Sequence, residues 1–134
     1  MAATAHRRTA PCFPLLVVGA EDQDHRHLQS ILNGECDMYV AAGRHDANTA
    51  IRRHRPVVVI CDDALADGDW RDLLADLTRN EGSPPLIVSS RCADDRLWAE
   101  VLNLGGYDLI EKPFTPMEVR RVVNMAARRG AGGR

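Results

Sequence analysis

Short apolar runs alternate with stretches of helical period along most of this chain, and few folds tolerate that alternation. Leu15-Leu16-Val17-Val18 is brief, wholly apolar and followed by Gly19, the signature of a strand buried on both faces. Leu28, Ile31 and Leu32 then recur at helical spacing between Asp22 and Asn33. Tyr39-Val40-Ala41 is a weaker strand, and Asp46 is placed to cap a helix through Ala50, Ile51 and His54 that Pro56 ends. Val57 to Cys61 reads as the third strand. The turn Asp67-Gly68-Asp69 precedes a helix carrying Leu73, Leu74 and Leu77, with Trp70 expected in the loop covering that helix. Pro85 opens a fourth strand, Leu86 to Ser89. Asp94 or Asp95 begins a helix with Leu97, Val101 and Leu104 on one face, stopped by Gly105-Gly106. Tyr107 to Glu111 is the fifth strand, and Thr115-Pro116-Met117-Glu118 has the pattern of a capping box with proline at the first helical position. The last helix would bury Val119, Val122 and Met125 or Ala126.

Five strands alternating with five helices require crossover connections, which parallel strands need and hairpins do not. Right-handed crossovers reduce the choices to an α/β doubly wound parallel sheet, most simply in the flavodoxin-like order 2-1-3-4-5 with helices on both faces. Residues 1–13 lack any period and read as a disordered leader, 14–128 as the domain, and 129–134 as a flexible tail. At 134 residues, such a domain buries enough apolar surface to fold without disulfides or metal. A net charge of −2 offers no electrostatic case for nucleic acid. Cys12, Cys36, Cys61 and Cys92 are spread without a C-x-x-C pair, which argues against a zinc or redox motif and fits a reducing compartment. No apolar run approaches the ~20 residues of a membrane span, and the first residues do not form a signal peptide. The sequence therefore reads as cytoplasmic, with no membrane contact.

Two charged residues stand out against this frame. Asp62 ends the third strand and Lys112, before Pro113, ends the fifth, at the carboxyl edge where such sheets place reactive groups. With PVVVICDDALADGD at 56–69, PLIVSS at 85–90 and LGGYDLIEKPF at 104–114, the chain resembles the response-regulator receiver family of bacterial two-component systems over residues 15–128. The resemblance implies a signalling module rather than an enzyme. It aligns Asp62 with the family's phosphoacceptor, Ser90 with the switch hydroxyl and Lys112 with the lysine that meets a phosphoryl oxygen. It also implies a cis peptide bond before Pro113. The types suit the chemistry: a carboxylate attacks phosphorus to give an acyl phosphate, while an ammonium and a hydroxyl neutralise the oxygens.

The chain departs from that family at three places. The metal-binding acid pair expected after the first strand is replaced by Gly19-Ala20, which leaves Asp62, Glu21 and the Ala64 backbone as candidate ligands and predicts weak or absent Mg2+ binding. Arg91 follows Ser90 where the family prefers a small residue, and is placed either in solvent or forked onto Asp62. Leu109 stands at the switch position where many members carry an aromatic. Trp98 lies outside the Leu97-Val101-Leu104 stripe with Leu102 one turn on, and with Arg120 and Arg121 it marks the face through which such domains commonly bind partners. The expected function is a receiver-like module with a degenerate pocket, acting through contacts with a histidine kinase, another signalling protein or a second copy of itself. The alternatives are a working phosphoacceptor on Asp62 and, remotely, a flavodoxin-like cofactor binder. The last is disfavoured by the acidic Glu21-Asp22 where a phosphate loop would lie.

Overall fold

Strand residues that alternate between two apolar environments need a helix layer on each side, and the chain supplies both. In a computed structural model, which describes residues 12–132, the elements run β1 (Phe13–Val18), α1 (Asp22–Ile31), β2 (Cys36–Ala41), α2 (Arg44–His54), β3 (Val58–Asp62), β4 (Ala64–Leu65), β5 (Gly68–Asp69), α3 (Trp70–Thr78), β6 (Leu86–Ser90), α4 (Asp95–Leu104), β7 (Asp108–Glu111) and α5 (Pro116–Gly132). Five strands form one parallel sheet in the order β2-β1-β3-β6-β7, the flavodoxin-like order read from the sequence. The short β4 and β5 pair antiparallel in a separate hairpin where the sequence suggested only a turn.

Residue parity along each strand divides the core. Leu15, Val17, Val58, Ile60, Ile87 and Ile110 pack against Leu28 and Ile31 of α1 and Val119 and Val122 of α5. The intervening Leu16, Val18, Val59, Cys61, Val88 and Leu109 pack against Ala47 of α2, Leu73 and Leu77 of α3 and Val101 of α4. The same parity carries on at the carboxyl ends of β3 and β6, so neighbouring polar residues there enter different layers.

Several boundaries differ from the sequence reading for physical reasons. Trp70 is not a loop residue: it is the first residue of α3 and only 1% exposed. Asp69 accepts from the Arg71 and Asp72 backbone while the Asp72 side chain returns to the Asp69 amide, a capping box that starts the helix at once. Asp46 does not cap α2. That helix starts after Gly43, and Asp67 from the β4–β5 hairpin accepts the Arg44 and His45 amides at 2.8 and 3.0 Å. These backbone bonds hold the Asp67 carboxyl below its ordinary range. β1 begins at Phe13, one residue before the expected domain start, and most of the expected leader lies outside the described residues. The expected tail is helical as far as Gly132, because α5 continues through Arg128 and Arg129.

Candidate functional site

Three strand ends and the first turn of α1 converge at the carboxyl edge of the sheet. Asp62 closes β3 beside Ser89 of β6, and Lys112 follows β7 with the Lys112–Pro113 bond cis, as the resemblance implied. The Lys112 ammonium lies 2.7 Å from Asp62 Oδ1 and 2.7 Å from Asp24 Oδ2, with Glu21 Oε1 at 3.7 Å. Ser89 Oγ donates to the same Asp62 oxygen at 3.0 Å. Lys112 is the most enclosed of the charged groups, its side chain 5% exposed.

The electrostatics follow from this geometry. Burial opposes the charge on Lys112, yet its hydrogen bonds to Asp24 and Asp62 outweigh that cost and raise its pKa above the ordinary lysine value. Burial likewise opposes ionisation of Asp24. The bond from Lys112 and the charges of Lys112 and Arg91 prevail, holding the Asp24 carboxyl below the usual range. Both groups are therefore charged at neutral pH.

Asp24 and Ser89 are the members that the sequence reading missed. The acid expected after β1 would come from positions 19 and 20, and Gly19 leaves its space to Asp62: a Cβ at Gly19 would lie 2.5 Å from Asp62 Oδ2. The second carboxylate comes instead from the first turn of α1. Asp24 stands four residues before Leu28 and seven before Ile31, on the inward stripe of that helix, which is the signal that could have identified it.

The remaining candidates fall in defined places. Arg91 does not fork onto Asp62; its guanidinium reaches Glu21 at 3.4 Å and stands 4.0 Å from Asp24, exposed at the pocket mouth. Ser90 does not meet Asp62 either. Its hydroxyl donates to Asp63 Oδ2 at 2.6 Å and accepts from the Cys92 amide at 2.9 Å, while Ser89 takes the place beside Asp62. Leu109 is buried in the α2–α4 layer. Ala64 lines a cavity of about 350 Å³ together with Ala20, Glu21, Asp62, Arg91 and Lys112. Trp98 and Leu102 are exposed on α4. Arg121 is exposed on α5, whereas Arg120 is drawn to Glu35 at 3.5 Å, toward the start of β2.

Divalent ions such as magnesium take carboxylate oxygens, and Glu21, Asp24 and Asp62 each offer one, all within 4.8 Å of one another. The donor type is right. The ammonium of Lys112, however, is bonded to one oxygen of Asp62 and one of Asp24 and stands near Glu21, so an ion at those oxygens competes with the lysine.

Comparison with known proteins shows the family and the fold. The family described as the response regulator receiver domain matches residues 15–124. TcrX of Mycobacterium tuberculosis, named as a transcriptional regulatory protein, is 40% identical over 75 residues, covering 54% of this chain and 31% of its own length. This chain thus spans less than a third of that relative. The signal receiver domain of a Vibrio parahaemolyticus protein superposes with a TM-score of 0.83 at 20% identity, covering 90% of this chain and 94% of its own. The receiver domain of Francisella response regulator 1452 gives 0.78 at 24% identity, with 87% and 98% covered. At those identities the two structures bear on the fold alone.

Proposed function

The chain belongs to the response regulator receiver family, and on that premise we propose that it is a receiver module whose pocket is closed by an internal ion pair and which signals through protein contacts. One observation carries the reading: Lys112 is shared between Asp62 and Asp24, and its ammonium stands among the carboxylates that a magnesium ion would need. Displacing a buried ammonium held by two charge-assisted hydrogen bonds costs several kcal/mol, which a weakly held ion does not return. The partner is a signalling protein, either a histidine kinase or a receiver-binding target, engaged through the exposed side of α4 around Trp98 and Leu102.

A second reading, a working phosphoacceptor on Asp62, is favoured by one feature. Asp62, Lys112 and the cis Lys112–Pro113 bond all occupy the positions that the resemblance assigns them. Intact mass after exposure to acetyl phosphate, with and without magnesium, separates the two. The ion-paired pocket should show no added phosphoryl mass under either condition. An adduct that disappears in Asp62→Asn would replace the first reading with the second.

A further inference from the structure

Two consecutive carboxylates at the end of β3 each take a hydroxyl from two consecutive serines at the end of β6, and the pairs do not cross. Ser89 bonds Asp62, and Ser90 bonds Asp63. Parity explains the separation, since Asp62 and Ser89 continue the stripes of Ile60 and Ile87 while Ser90 continues that of Val88. Ser90 is completely buried, and its single proton is given to Asp63. The same oxygen accepts the Cys92 amide, so the hydroxyl fixes the first turn of the β6–α4 loop. Asp63 is itself held by its backbone: its amide donates to the Ser89 carbonyl at 3.0 Å, and its carbonyl faces the Trp70 amide at 3.4 Å.

We infer that Asp63 is a positioning residue that holds the Ser90 hydroxyl away from Asp62, so that the β6–α4 loop follows Asp63 and not the state of Asp62. The inference deepens the proposed function and rests on it only in treating Ser90 as the hydroxyl that would report on this pocket. A hydroxyl has one proton, and an ionised acceptor at 2.6 Å binds it about twice as strongly as a neutral one. Asp62 is meanwhile supplied by Ser89 and Lys112 and needs nothing from Ser90. Leu109 pairs with Val88 of β6 and packs in the same layer as Val101, so its amide reports a displacement at the end of β6. The Asp63–Ser90 bond also links the two walls of the pocket mouth, Asp63 to Ala66 on one side and Arg91-Cys92 on the other.

Amide NMR on the whole chain tests this without any phosphoryl donor, so the reactivity of the pocket and the Asp63 bond are judged separately. Asp62→Asn is introduced into three backgrounds: wild type, Asp63→Asn and Asp63→Ala. With Asp63 intact, Asp62→Asn should move the Ser89 and Lys112 amides and leave Cys92 and Leu109 in place. Asp63→Asn, whose amide oxygen still accepts, should preserve that pattern. Asp63→Ala should speed hydrogen exchange at the Cys92 amide roughly tenfold and make Cys92 and Leu109 respond to Asp62→Asn. Should Asp63→Ala fail to fold, Asp63→Leu removes the acceptor while keeping bulk beside Trp70. The inference is overturned if Cys92 and Leu109 respond to Asp62→Asn with Asp63 present, or if removing the acceptor changes neither exchange nor response.

Discussion

The pocket and the outer face of α4 are opposites in how their groups are satisfied. In the pocket, Lys112 lies 2.7 Å from both Asp24 and Asp62, and Arg91 answers Glu21 at the mouth. On α4, Val101 is fully buried, whereas Trp98 at 49%, Leu102 at 37% and Leu104 at 51% remain exposed. A self-paired site gains less from an incoming ion, because an ion bound at the oxygens that Lys112 holds must compete with the lysine. An apolar surface gains from any partner that covers it. The proposed function rests on this contrast: it assigns signalling to the helix and expects the pocket to resist chemistry.

Removing the cation should produce the largest effect. Lys112→Met leaves two carboxylates facing each other in a largely enclosed site and should cost about 3 kcal/mol at neutral pH, measured by denaturant unfolding. Its pH dependence sharpens the comparison. In the wild type, the folded Asp24 pKa lies below its unfolded value of 3.8, so its contribution is present above that pH and is lost as pH falls through the folded value. In Lys112→Met, mutual repulsion raises a carboxyl pKa instead, so the variant should gain stability as pH falls from neutral toward 4. A variant as stable as the wild type at pH 7 would mean that the ion pair does not close the pocket.

The next effect concerns the position where the family acid is missing. Gly19→Asp places a Cβ against Asp62 Oδ2 and a fourth carboxylate beside Glu21, Asp24 and Asp62, and should cost about 2 kcal/mol. Ala20 is exposed and lines the cavity, so Ala20→Asp should change stability by less than about 0.5 kcal/mol. Restoring the acid pair from sequence considerations would introduce both substitutions, but the structure separates them. Magnesium titration followed at the Asp62 amide should show micromolar saturation in neither chain, with Ala20→Asp the tighter binder. Tighter binding by Gly19→Asp would show that Asp62 moves aside easily and that the Lys112 bond is loose.

These differences show which parts of the site could be read in advance. The strand order, the strand-end places of Asp62 and Lys112 and most of the apolar stripes were legible because each depends on local period or on a residue at a strand end; Leu104, expected on the stripe of α4 with Leu97 and Val101, is instead exposed. Asp24 was not legible, since it belongs to the first turn of α1 rather than to the strand end, and the helix brings it back over that end. Ser89 was not, because a switch hydroxyl at Ser90 says nothing of its neighbour, which in a strand serves the other layer. Trp70 was misplaced because Asp67-Gly68-Asp69 suggests a turn, whereas Asp69 also caps the helix that Trp70 opens. Arg120 was assigned to the partner face on helical position alone, and Glu35 draws it elsewhere.

A small change in stability is also expected at Trp98, and there the contrast between pocket and face can fail most clearly. Trp98 follows Asp94, whose carboxylate accepts the Leu97 amide at 2.8 Å, so the helix start is secured without the indole. Across the fold, Arg71 is bonded to Glu100 at 2.7 Å, which ties α3 to α4 on the flank beside it. Trp98→Ala should therefore change unfolding free energy by no more than about 1 kcal/mol. Truncating an aromatic anchor at a binding centre typically costs ~2 kcal/mol or more, so capture of the partner or self-association should weaken by well over tenfold. Sedimentation of the chain alone and binding to a cognate kinase or target read the two outcomes, with Leu102→Ala as a weaker version of the same change. If Trp98→Ala unfolds the domain, the indole belongs to the core. If it leaves both association and capture unchanged, the open face of α4 is not where this receiver meets its partners.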